Sequence, residues 1–176
     1  MAASYTLSGQ NILFGANKCM LSVYNGSGSG AVLRVYRAWV LNNQQTAVTG
    51  VLTNLELRKI TASSGGTTLT ATKHDSNSSN LAAQIVLGTN QTITTTDLYR
   101  RVIWSTDEPS NASGTTAATL DEFEIFLPLC CIWSLGYGDS TTEPITLREG
   151  EGLALVNTGG NTGQCDVFFE FTSGAS

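Results

Sequence analysis

The sequence predicts an all-β chain folded as a two-sheet antiparallel β-sandwich, and three observations predict it. Apolar and polar residues alternate with period two along roughly eight to ten short runs, as in strands with one buried face. Only 13% of the 176 residues are charged, and polarity comes instead from Ser, Thr, Asn, Gln and Gly. Thr suits strands, while Gly and Asn suit turns. No helical period exceeds about two turns, the best being Asn80 to Val86. Alternation alone leaves a jelly roll and an immunoglobulin-like topology both open.

The runs follow in order. Lys18 to Tyr24 sets Cys19, Leu21 and Val23 against Met20, Ser22 and Tyr24, and stops at the glycine-rich Asn25 to Gly30. Val32 to Leu41 puts Leu33, Val35, Arg37, Trp39 and Leu41 on one face, with Val32, Arg34, Tyr36, Ala38 and Val40 on the other. Both faces are largely apolar, so this run reads as a central strand. The two runs are expected to pair as a hairpin. Leu52 to Ile60 turns Leu55 and Leu57 inward and Glu56 and Arg58 outward. Ser63 to Gly66 is expected as a hairpin turn into Thr67 to Lys73. His74 to Asn80 reads as an exposed loop. Ile85 to Leu87, Thr92 to Thr96 and Tyr99 to Trp104 read as short strands. Asp107 to Thr119 is a long loop, of a length that suggests a functional tip. Asp121 to Leu127 sets Phe123 and Ile125 against Glu122 and Glu124. Cys130 to Leu135, Ile145 to Leu147, Gly152 to Asn157 and Val167 to Thr172 complete the set, the last with Val167, Phe169 and Phe171 on one side. No repeat or linker divides the chain, so residues 1–176 are read as a single domain, with residues 1–17 a candidate N-terminal arm.

Charge and leader signals narrow the function. The formal net charge is −5, and the nine Lys and Arg are scattered with no run longer than two. A nucleic-acid partner, which calls for a basic face, is therefore not expected. The first residues carry no basic region followed by an apolar core, so no secretory signal is read. No run approaches the ~18 apolar residues of a membrane span. Assembly in the cytoplasm of the producing cell is the expectation. Four cysteines, Cys19, Cys130, Cys131 and Cys165, are then expected as reduced, mostly buried small hydrophobes.

Candidate chemistry is sparse. His74 is the only histidine, and without a second ligand it makes neither a usual zinc site nor a triad. Glu122 and Glu124 share a strand face beside Phe123 and Ile125, whereas sugar chemistry needs carboxylates across a cleft. Arg148-Glu-Gly-Glu-Gly152 reads as a tight turn with glycines at positive φ, ahead of a Ca²⁺ loop that would need Asp139, Glu143 or carbonyl ligands as well. The glycosylation patterns at Asn25, Asn77, Asn90 and Asn111 fit chance in an Asn- and Ser-rich chain. Gly26 to Gly30 lacks the Lys of a phosphate loop. Trp39, Trp104, Trp133, Tyr36, Tyr99 and Tyr137 are read as core or interface, with a sugar groove as the less favoured use. No catalytic, cofactor-binding or metal-binding residue is assigned, no cofactor is expected, and the chain is read as not an enzyme.

Three segments carry a resemblance: Asn17-Lys-Cys-Met-Leu-Ser-Val-Tyr-Asn25, Leu33-Arg-Val-Tyr-Arg37 and Glu143-Pro-Ile-Thr-Leu-Arg-Glu-Gly-Glu-Gly-Leu153. With the Thr-, Ser- and Gly-rich turns, they resemble small decoration, or cement, proteins of tailed-bacteriophage capsids. The Leu-x-Glu-Gly-Glu-Gly-Leu turn also occurs in cupin-like jelly rolls, but the metal-binding histidines of a cupin are absent. The resemblance implies a jelly-roll-like sandwich on the capsid surface of a virion. It implies the major capsid protein as partner and a homotrimer at local three-fold axes. Residues 1–17, His74 to Asn80 and Asp107 to Thr119 are the expected contact elements. The alternative is a fibre or receptor-binding head, or a minor coat protein, that binds host glycans.

Overall fold

The computed structural model describes residues 2–44, 52–105, 129–135 and 143–175. Among them the chain is strand and turn, without a helix. The strands are β1 (Ala3–Phe14), β2 (Lys18–Asn25), β3 (Ala31–Asn42), β4 (Leu52–Ser64), β5 (Thr67–Thr68), β6 (Thr72–Lys73), β7 (Ile85–Thr89), β8 (Thr92–Ser105), β9 (Leu129–Ser134), β10 (Ile145–Leu147), β11 (Glu151–Asn157) and β12 (Gly163–Ala175).

The pairings are nested. β1 pairs with β12, β2 with β11, β3 with β9 and β10, and β4 with β8, all antiparallel. The chain is thus one long ribbon, its second half running back along its first, rolled so that β12 also meets β3 and β11 also meets β4. The result is two sheets, A in the order β10-β3-β12-β1-β6, with β9 also on β3, and B in the order β5-β7-β2-β11-β4-β8. This nesting is the jelly-roll arrangement. β9 and β10 lie along successive stretches of the same β3 edge, opposite residues 37–41 and 33–35. The inner faces of the two sheets interleave Leu7, Val167, Phe169 and Phe171 of sheet A with Leu21, Leu57, Leu153 and Leu155 of sheet B. Tyr5 stacks on Phe171 with ring centroids 5.6 Å apart.

Several expectations change here. The stretch expected as an arm is β1, held between β12 and β6. β2 and β3 are not a hairpin: they lie in different sheets, and Asn25 to Gly30 arches from one layer to the other. Alternating faces that look toward one shared core read the same in an arch as in a ladder. Inside the arch, buried Asn25 donates from Nδ2 to the carbonyls of Ala31 at 2.8 Å and Leu147 at 3.2 Å, and accepts from Ser29 Oγ at 2.6 Å. Ser63 to Gly66 does not turn β4 into a neighbouring strand either. Ser64 pairs with Thr92, the two expected strands on either side of Asp97 are one strand, β8, and residues 65–91 are an excursion. That excursion crosses to the opposite edge of the sandwich, laying β6 on β1 and β7 on β2, with β5 outermost. Gly66, at φ 69°, leaves the room that a β-carbon 2.3 Å from the Thr89 carbonyl would take. The expected strand Asp121 to Leu127 lies outside the described residues.

β3 also departs from its expected face. Val35 pairs with Phe171 and Arg37 with Glu170, so Tyr36 is the extra residue of a β-bulge. The bulge moves the inner face from Leu33 and Val35 to Ala38 and Val40. Arg37, Trp39 and Leu41 therefore face outward, and Trp39 is half-buried. Trp39→Ala is expected to cost about 1 kcal/mol in chemical denaturation, far below the ~3–5 kcal/mol of a core Trp. A loss in that core range would place Trp39 inside.

The outer face of sheet B is covered in part. Cys19, Ile60, Ala154 and Val156 form a small second cluster, flanked by Tyr24 and Ile93. Glu56 faces outward as expected, yet it is 1% exposed, under Arg58 (Nε to Oε2, 2.5 Å) and Arg101 (Nε to Oε1, 2.7 Å). Burial pushes its carboxyl up, but the hydrogen bonds and charges of Arg101 and Arg58 outweigh this and hold it below 4.5. A lowered folded-state pKa stabilises the fold above the unfolded value and ceases to do so as the pH falls through the folded value. The stability gap between wild type and Glu56→Gln should therefore be full at pH 7 and close progressively below about pH 4.5. Urea unfolding across that range measures it, and a gap independent of pH would exclude the paired carboxylate as its source.

Candidate functional site

The residues singled out from the sequence fall in different places. Arg148 to Gly152 is the turn between β10 and β11, with Gly150 at φ 79°. Its carboxylates are committed. Glu149 accepts from the backbone N–H of Gly28 and Gly30, at 3.1 and 2.7 Å, which holds its carboxyl low, and Glu151 pairs with Lys59 at 2.6 Å. Glu122, Glu124, Tyr137, Asp139, Asn111 and the loop Asp107 to Thr119 lie outside the described residues. The four thiols are free, and burial pushes Cys19 up to about 11. Burial also raises Cys130, Cys131 and Cys165, so none is activated as a nucleophile. Among the described residues no group of three or more His, Cys, Asp or Glu is placed to hold a metal ion.

The aromatic set divides. Trp104 is in the core against Phe14 at 5.9 Å, and Trp133 packs against the core's rim. Tyr99 is 39% exposed on β8, the edge of sheet B, a strand that also exposes Leu98 and Ile103. Tyr36 and Trp39 both belong to the outer side of sheet A.

That outer side carries a convergence of polar side chains. His74, just after β6, takes its backbone N–H to the Ser4 carbonyl at 3.0 Å and its Nε2 to within 2.8 Å of Thr6 Oγ1. Thr6 stands opposite Glu170 and Glu170 opposite Arg37, whose Nη1 donates to Glu170 Oε2 at 2.9 Å. His74, Thr6, Glu170 and Arg37 thus form one row across the sheet. The next row holds Ser8, Phe168, Trp39 and Cys131 in register. A further cluster, Asn11, Asn43, Gln164 and Asp166, is tied by bonds of 2.7–3.1 Å.

Two concavities open beside the first row. One, of about 300 Å³, is lined by Ser4, Tyr36, Arg37, His74, Glu170 and Thr172. The other, of about 630 Å³, is walled by the loop Asp75 to Asn80, with Ser4 and Ser173 across from it. The loop is pinned to the sheet by Tyr5 Oη to the Ser79 carbonyl at 2.7 Å and Lys73 Nζ to the Ser78 carbonyl at 2.8 Å.

No family model, curated protein or solved structure matches this chain.

His74 was visible in the sequence as a lone histidine in a polar stretch. Its neighbours were not, because Thr6, Arg37 and Glu170 join it only through sheet register. The bulge at Tyr36 leaves no mark in a run of apolar and basic residues.

Proposed function

We propose that the chain is a structural component of a virus particle, a decoration protein that binds the assembled shell and bridges its subunits. The observation that carries the reading is the jelly-roll ribbon with its two lateral edges treated differently. At one edge residues 65–91 extend both sheets with short polar strands, β6 on β1 and β5 on β7. At the other, β8 ends sheet B and, among the described residues, has no strand beyond it; it presents Leu98, Tyr99 and Ile103 to solvent. Exposed strand edges with apolar side chains are sites of association. The three segments resembling phage decoration proteins support the same reading, as does a surface poor in charge, which makes many polar contacts without desolvating ions. A protein that binds only the assembled shell stabilises it by mass action.

The test is the copy number of the chain in purified particles relative to the main shell protein, by quantitative mass spectrometry. One copy per shell subunit, or a simple fraction such as one third, is the expected result; a homotrimer on every local three-fold axis gives one copy per subunit. A few dozen copies or fewer would replace this reading with a vertex or fibre part, and absence from particles would end it.

A further inference from the structure

We infer that the outer face of sheet A holds a binding site for a neutral sugar, centred on Tyr36, Arg37, His74 and Glu170. The inference does not rest on the decoration reading. Its first support is shape, since a concavity of about 300 Å³ lies at the lower end of the range of ligand pockets and suits one sugar ring rather than a chain. Its second is the bulge. The extra residue, Tyr36, lines the pocket, and bulges recur next to binding sites because they re-aim a side chain out of strand alternation. A tyrosine offers an apolar ring face for the C–H side of a pyranose and a hydroxyl at its tip.

The third support is the pattern of donors and acceptors. Each sugar hydroxyl both donates and accepts, so vicinal hydroxyls need acceptors and donors side by side. The Arg37–Glu170 pair supplies both side by side, with the side chains 54% and 34% exposed and so within a ligand's reach. Ser4, Thr172 and His74 add hydroxyl and imidazole groups around the same space. Charge then selects the class of sugar. Arg37 is already neutralised by Glu170, and no other Lys or Arg lines the pocket among the described residues. An acidic sugar or a phosphate would find no unpaired Lys or Arg in this lining, the next guanidinium being Arg34, opposite Thr172. The neighbouring row sets Phe168 opposite Trp39, both half-buried, which extends an aromatic surface along the face from the pocket.

Saturation-transfer NMR and calorimetry on the full chain test this, using methyl glycosides of glucose, mannose, galactose and N-acetylglucosamine, with N-acetylneuraminic acid and glucose 6-phosphate as acidic counterparts. At least one neutral glycoside should bind, with a Kd on the order of 1 mM. Glu170→Gln, on the exposed face, should weaken it about tenfold or more, the scale of one charge-assisted hydrogen bond. Tyr36→Ala should do the same, and Tyr36→Phe should retain most of the affinity because it keeps the ring. Circular dichroism checks that each variant is folded, and Glu170→Gln carries the test alone if the bulge does not tolerate Ala. Failure of every neutral glycoside to bind, preference for the acidic pair, or unchanged affinity in folded Glu170→Gln would overturn the site.

Discussion

Replacing Phe169 by Ala should lower the unfolding free energy by about 3–5 kcal/mol, the cost of a large aromatic deleted from a packed core. Phe169 is fully buried, at the middle of β12, opposite Leu7 on one side and Ala38 on the other. Ala38 is too small to fill the space, and the strands on both sides are fixed by their ladders. The cavity would therefore stay largely open, which is what raises such losses above the transfer free energy of the removed atoms. Urea denaturation of the variant beside Trp39→Ala checks this, because the two aromatics lie on opposite faces of the same sheet. Equal losses would contradict the assignment of faces on either side of the Tyr36 bulge.

Asn25→Asp, nearly isosteric, should cost about 3 kcal/mol or more at neutral pH. The native amide donates to two buried carbonyls, Ala31 and Leu147. A carboxylate only accepts, so both carbonyls lose their donor and face a buried negative charge. The Asn25 carbonyl also accepts from Gly150 N at 2.7 Å, so one residue links the β2–β3 arch to the β10–β11 turn. Burial without a cation raises the pKa of the new carboxyl in the folded state. The penalty should therefore be full above that raised value and shrink as the pH falls through it, because the protonated acid regains one donor. Asn25→Ala leaves the carbonyls unmet but adds no charge, so it should be the milder change at pH 7. The reverse order would mean that the arch is wetter than its burial indicates.

These residues mark what sequence reasoning reaches. Alternation along β12 places Val167, Phe169 and Phe171 on one buried side, as the structure does. The two-sheet sandwich follows from such runs. The pairing scheme does not, because Leu21 and Val23 show the same alternation whether β2 pairs with β3 or arches away from it. Bulges break the inference locally. Arg37 and Trp39 leave the face of Leu33 and Val35 because Tyr36 is inserted, and β4 and β8 shift register at three points. Glu56 is outward by parity but buried, since its cover comes from Arg58 and, across the ladder, Arg101. The candidate sugar site shows the same limit. His74 stood out by its rarity, while Glu170 and Arg37 are ordinary until the ladder sets them side by side.

The nested ribbon also bears on how the chain is made. β12 comes after β1–β11 in the order of synthesis, yet it lies between β1 and β3 in the interior of sheet A. Until it emerges, β1 and β3 have no common neighbour, and Leu7, Val35 and Ala38 lack the partners that bury them. Completion of the core thus waits for β12, and it joins residues far apart in sequence, the contact pattern that folds slowly. A nascent chain stalled before Gly163 should be protease-sensitive throughout sheet A, although β4 and β8 are by then in place to pair.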